Sequence, residues 1–268
     1  RLAVGMLGVR IAFADIVSLG IMPPIIVVTS MLLTIVFSVF FAKVLKLPKV
    51  FGILTGGSVA VCGVSAAAAI AMVLPKKEYQ EKFFALTVIS VTTLSTLAMI
   101  VYPVITKLFN LPDELAGVFI GGSIHDVAQV VGAGYSISPE AGDIATYIKL
   151  LRVALLLPIV MVIFICFKSR STTTDNQRLS AKLTSFIPGF LIGFFVLALL
   201  NNLGLIPDLL VQVFQVLSNW LLVIAIVAIG LKTSLKQIAS VGWKPIFLLT
   251  AETIFFAGLI LVGILVLL

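Results

Sequence analysis

A polar, glycine-rich stretch occurs twice inside apolar sequence long enough to cross a bilayer: Gly52 to Ser58 (GILTGGS) and Gly117 to Ser123 (GVFIGGS), 65 residues apart. In hydrocarbon, backbone N–H and C=O groups must find partners within the protein. A chain of this kind therefore spans as helices, and a polar break survives only where it is buried in protein or lines a wet cavity. The second copy runs directly into His125-Asp126, the chain's one histidine beside one of its 11 acids. Such breaks are where a transporter would hold a polar substrate.

Composition supports the bilayer as the solvent. Hydrophobic residues make up 61% of the chain and charged residues 11%, against roughly half and a quarter in soluble domains, and the mean hydropathy is +1.26. The net charge of +7 comes from scattered basic residues. No basic face is interleaved with aromatics, which argues against nucleic acid as a partner. Cys62 and Cys166 lack the spacing of a metal site or a disulfide framework. A phosphate loop, a nucleophile elbow and metal-ligand His/Glu spacing are all missing, so no enzyme activity, cofactor or metal is expected.

Nine apolar segments can be marked, at Arg1 to Gly20, Met22 to Val44, Phe51 to Leu74, Phe83 to Phe109, Leu115 to Ser136, Ile144 to Phe167, Phe186 to Leu203, Leu209 to Leu231 and Pro245 to Leu268. If each crosses, the loops on one side carry 12 Lys/Arg and those on the other carry 6. The positive-inside rule then places Arg1 and the linker near 168–185 in the cytoplasm. The expected fold is an all-α polytopic membrane protein, one transmembrane domain over 1–268, with discontinuous helices. Gly8, Arg10, Ile16, Ser18, Gly20 and Pro23 also align with Gly230, Lys232, Ile238, Ser240, Gly242 and Pro245 at an offset of 222. Seven segments separate the copies, an odd number, which gives the inverted-repeat character of many secondary transporters. The short apolar lead-in before Gly8 predicts an N-terminal truncation.

Within the breaks, the candidate substrate-binding residues are Cys62, Gly63 and Ser65 from the third segment, with Gly122, Ser123 and Gln129 from the fifth. A helix broken near Gly56, Gly57 or Gly63 would offer free N–H groups and a half-helix dipole to an anion. The alternative is a tightly packed small-residue interface. His125 and Asp126 are the candidate proton-coupling pair, since ionisable groups at membrane depth are costly and functional by default; a structural pair capping a helix end is the other reading. Lys149 and Arg152 either snorkel to the interface or face the polar break, where they attract an anion or pair with Asp126.

The blocks TGGSVAVCGVSAAAAIAMVLP, GVFIGGSIHDVAQVVGAGYSIS, YIKLLRVALLLPIV and AIGLKTSLKQIASVGWKP resemble the YeiH-type family of bacterial inner-membrane proteins, labelled as sulfate exporters. The resemblance covers nearly the whole chain, with Ser58 standing where members usually have alanine. It implies a multi-pass protein of the bacterial inner (plasma) membrane. The expected function is secondary transport, in the export direction, of a small inorganic or organic anion such as sulfate or sulfite. Alternating access and proton coupling belong to that expectation, and a homo-oligomer is compatible with it. An anion channel and a non-transporting structural or regulatory subunit are the alternatives.

Overall fold

The computed structural model describes residues 6–10, 20–75, 81–168, 189–232 and 243–267. Among them lie a 3-10 turn at Leu7–Arg10 and eleven α-helices, with no strand. The helices are α1 (Met22–Val44), α2 (Lys49–Ala60), α3 (Val64–Val73), α4 (Glu81–Leu108), α5 (Asp113–Ser123) and α6 (Val127–Tyr135). They continue with α7 (Pro139–Ala154), α8 (Leu156–Lys168), α9 (Gly189–Asn202), α10 (Asp208–Lys232) and α11 (Trp243–Leu267). The protein is an all-α polytopic membrane protein. Among the described residues, four helical stretches are long and apolar enough to span: α1, residues Lys82–Leu108 of α4, α7 with α8 as Pro139–Phe167, and α11.

Local sequence explains the boundaries. Pro23 fits the first turn of α1, where its missing N–H costs nothing, and Lys43, Lys46 and Lys49 cluster where the chain turns from α1 into α2. The kink between α7 and α8 falls at Leu155. Pro158 has no N–H to offer the Ala154 carbonyl, so the regular ladder cannot pass through. Residues 1–5 and 11–19 of the expected first segment, 169–185 of the linker expected in the cytoplasm, and Ile16, Ser18, Ile238, Ser240 and Gly242 of the end repeat lie outside the described residues.

The two glycine-rich segments each form two short helices rather than one span. At 1.5 Å per residue the 12-residue α2 is only about 18 Å long, well short of a bilayer core of about 30 Å. Both are also close helix crossings. A Cβ on Gly52 would stand 2.8 Å from Ala42 Cβ of α1, and one on Gly117 would stand 2.8 Å from both Ala141 O and Ile144 Cβ of α7. Small residues at these positions let the backbones approach. Thus α2 packs on α1 and α11, α5 and α6 pack on α7, and α4 touches both groups. Phe51, Leu54, Phe119, Ile120 and Ile260 fill the interior. Outside, Leu33, Val36 and Phe40 of α1 and Ile100 and Val104 of α4 are exposed apolar side chains, as a lipid-facing surface requires.

Candidate functional site

The break between α2 and α3 is made by Val61, Cys62 and Gly63. Val61 still closes a helical bond to Gly57 O (3.1 Å) and Gly63 N donates to Ser58 O (2.8 Å). Gly63 then takes φ +62° and ψ −119°, a conformation that glycine alone adopts freely. The break between α5 and α6 is an extended stretch, with ψ near 145° at Ile124 and 140° at Asp126. The two breaks face each other. A Cβ on Gly63 would lie 3.7 Å from both His125 Cβ and His125 O.

Two broken helices create two carbonyl ends and two amide ends inside the protein, and the chain treats them differently. Lys149 and Arg152, one turn apart on α7, reach the carbonyl ends. Lys149 Nζ donates to Val61 O (2.8 Å) and Ile124 O (3.0 Å). Arg152 makes five bonds: Nε to Ala60 O (2.9 Å), Nη1 to Gly121 O (3.1 Å) and Ile124 O (2.8 Å), and Nη2 to Val59 O (2.9 Å) and Ala60 O (2.7 Å). A guanidinium has five N–H donors, so this one is saturated. Its plane also lies over the Phe256 ring, 4.7 Å from the centroid. Both cations are 0% exposed, so neither snorkels. They place positive charge against the negative ends of the α2 and α5 dipoles.

Of the amide ends, that of α6 carries its own anion. Asp126 is the N-cap and its Oδ1 accepts from Ala128 N at 2.9 Å. α4 steadies this turn: Asp126 N donates to Ser95 Oγ (3.1 Å) and Gln129 Nε2 donates to Thr96 Oγ1 (2.8 Å). The amide end of α3 has Gly63 as its N-cap and no side-chain cap. Cys62 and Ser65 flank it, Val64 is 37% exposed and Ser65 half-buried, whereas residues 50 to 63 are all buried. Three charged side chains thus serve four helix ends, and the amide end of α3 is the one without.

His125 is fully buried, its Nε2 3.1 Å from Thr253 Oγ1 of α11. Thr253 gives its hydroxyl proton to Leu249 O (2.8 Å), so Nε2 is the donor in this pair. Nδ1 is then the nitrogen without a proton; it makes no hydrogen bond of normal geometry, and the Val59 backbone lies near the ring. His125 and Asp126 do not act as a bonded pair, because extended backbone sends successive side chains to opposite sides.

The structure therefore brings Cys62, Gly63, Ser65, His125, Asp126, Gln129, Lys149 and Arg152 to the two breaks. Gly122 and Ser123 end α5 at the edge of the break, turned into helix packing. A Cβ on Gly122 would meet Ile260 Cδ1 (2.9 Å) and Val27 Cγ2 (3.3 Å), and Ser123 Oγ bonds back to Phe119 O (2.5 Å). Ser58 does the same to Leu54 O. Sequence reading missed Thr253 and its neighbour Glu252, which is 0% exposed. The available signal was an acid near the middle of a long apolar helix.

A family model described as Conserved hypothetical protein 698 matches residues 1–249. A UPF0324 membrane protein of Chlorobaculum tepidum is 49% identical over 97% of this chain and 72% of its own length. The UPF0324 membrane protein TauZ of Paracoccus denitrificans is 46% identical over 98% of this chain and 77% of its own. A UPF0324 membrane protein of Rhizobium meliloti is 44% identical over 98% and 75%. No solved structure matches.

Proposed function

Since the chain belongs to the family described as Conserved hypothetical protein 698, whose relatives are membrane proteins, we propose that it is a secondary transporter of a small anion, with sulfate or sulfite as the class of substrate. The observation that carries this reading is the charge inventory at the crossing. Both carbonyl ends are sealed by cations and the α6 amide end by Asp126, while the α3 amide end opens uncapped beside Ser65. An oxyanion supplies the charge that the fourth end lacks. Recognition then runs through the backbone N–H groups of Val64 and Ser65, the Ser65 hydroxyl and the Cys62 side chain, with Gln129 across the gap. Arg152 has no N–H to spare and acts through its field alone, whereas Lys149 has used two of its three donors and keeps one.

Alternating access follows from the two crossed half-helix pairs: tilting the α2–α3 group against the α5–α7 group exposes the same site to either side. His125 with Asp126 supplies coupling in this scheme. A proton on the bare Nδ1 adds positive charge beside the site when the anion is bound, and Asp126 keeps the α6 end neutralised throughout. The protein sits in the bacterial inner membrane with its 168–185 linker cytoplasmic, works in the export direction, and is a transporter rather than an enzyme.

The test is counterflow. Full-length protein in proteoliposomes loaded with unlabelled sulfate or sulfite is expected to accumulate the radiolabelled anion, and Gly63→Ala and Ser65→Ala to lose affinity. Voltage-driven flux without counterflow would replace this reading by a channel. Absence of flux for sulfate, sulfite and small sulfonates would replace it by a non-transporting subunit.

A further inference from the structure

Glu252 stands in the seam between α1, α2 and α11, 0% exposed. Its Oε1 is in hydrogen-bond contact with Ser38 Oγ of α1 and lies 2.8 Å from Thr55 Oγ1 of α2. Ser38 Oγ is also 2.6 Å from the Gly52 carbonyl. Oε2 has no partner. A buried carboxylate without a cation or a full set of donors is among the most costly groups a protein can hold.

The oxygens themselves count the protons. Three hydrogen-bond contacts link Gly52 O to Ser38 Oγ (2.6 Å), Ser38 Oγ to Glu252 Oε1, and Glu252 Oε1 to Thr55 Oγ1 (2.8 Å). Each needs a hydrogen between its oxygens, yet Ser38 and Thr55 bring one hydroxyl proton apiece. With Ser38 donating to Gly52 O and Thr55 donating to Oε1, the contact between Ser38 and Glu252 is satisfied only by a carboxyl proton. Ser38 Oγ and Thr55 Oγ1 are 3.2 Å apart, a spacing that oxygens about 2.4 Å from an ion also reach, so a cation is the rival occupant that sodium tests below.

The charged groups on the surrounding elements do not alter this. Lys43 of α1, Lys49 of α2, Lys82 and Lys107 of α4, and Asp113 and Glu114 of α5 are exposed at helix ends, and Lys244 lies two turns away on α11 itself. Tyr102 of α4 packs on Phe119. On the next turn of α11, Arg152 covers Phe256 with every N–H already on a carbonyl, and His125 is held by Thr253.

We propose that Glu252 is a proton-binding site in the bundle interior, holding its proton in the conformation described, and that its release and uptake of that proton are required, alongside those of His125, to couple the transport cycle to protons. The second clause rests on the transport reading above; the first does not.

Two measurements separate them. Infrared difference spectra of the purified full chain at neutral pH are expected to show the carbonyl stretch of a protonated, unhydrated carboxylic acid. That band should be lost in Glu252→Gln, shifted in Ser38→Ala and unmoved by sodium. A spectrum without the band in the wild type, or one in which sodium removes it, overturns the proton site. In proteoliposomes, Glu252→Gln is expected to keep counterflow and lose acceleration by a pH gradient. Gradient-driven flux equal to wild type overturns the coupling role even where the band is present. Absent counterflow in the wild type sinks the transport reading and leaves the infrared result standing.

Discussion

Replacing Arg152 by methionine removes the most heavily used side chain at the crossing, and the cost can be worked from its bonds. Five are lost. Ile124 O retains Lys149, but Val59 O, Ala60 O and Gly121 O are left buried with nothing in exchange. At about 0.6 kcal/mol per bond, the average for polar contacts between membrane helices, the loss is about 3 kcal/mol. At about 1–3 kcal/mol per orphaned buried carbonyl, it is about 3–9 kcal/mol. Removing the burial penalty of the charge offsets the upper part of that range, so about 3–5 kcal/mol is expected, as for other broken buried pairs. By the scaling of about 2–4 °C per kcal/mol, purified protein should melt roughly 10 °C lower in a thermal-shift assay. Arg152→Lys should fall between, because three donors cannot make five bonds. The Arg152→Met Lys149→Met double variant should be non-additive through the shared Ile124 carbonyl. A methionine variant melting within about 1 kcal/mol of wild type, or indistinguishable from the lysine variant, would refute the carbonyl-sealing role.

Other perturbations follow from the same geometry. Gly63→Ala forces an L residue into a positive-φ conformation that glycine alone adopts freely, at about 1–3 kcal/mol, and brings a Cβ to 3.1 Å from Val91 Cγ1, so a measurable drop in melting temperature should accompany its loss of anion affinity. Gly121→Ala drives a methyl into the backbone of Ala145; folded protein should be lost, seen as aggregation on size-exclusion chromatography. Asp126→Asn keeps an N-cap acceptor and should melt like wild type, whereas Asp126→Ala should cost about 1 kcal/mol. Thr253→Val removes the acceptor of His125 Nε2 and should shift the imidazole 15N resonances; unchanged resonances would remove Thr253 from the site.

Much of the fold was legible because membrane solvent makes length and polarity decisive. The bounds Met22 to Val44 were readable from Pro23 at one end and Lys43, Lys46 and Lys49 at the other. The breaks were legible as breaks, but Gly56, Gly57 and Gly63 were equal candidates. Only tertiary contacts separate them: a Cβ on Gly56 would run into Ser38 and one on Gly57 into Ile70, so both are packing glycines inside α2, and Gly63 alone has a positive φ. A glycine needed for close approach and one needed for a turn look the same in sequence.

The charges were harder to read, because a charge at membrane depth is explained by what it touches. Lys149 and Arg152 are three residues apart and share a helix face, which is local information. Their acceptors lie 25 to 93 residues away on two other helices, and no spacing rule reports that. His125-Asp126 misleads in the opposite sense. The residues are adjacent in sequence, yet His125 turns to α11 and Asp126 to the start of α6. Glu252 gives a signal as strong as either, an acid within a long apolar helix, but carries no glycine break beside it. Its partners Ser38 and Thr55 come from 214 and 197 residues away. In a chain with so few charges, each buried one among the described residues lies where a helix end or a neighbouring hydroxyl meets it. The buried ionisable side chains, followed outward to their contacts, therefore say more about how the fold accommodates charge than the glycine-rich motifs do.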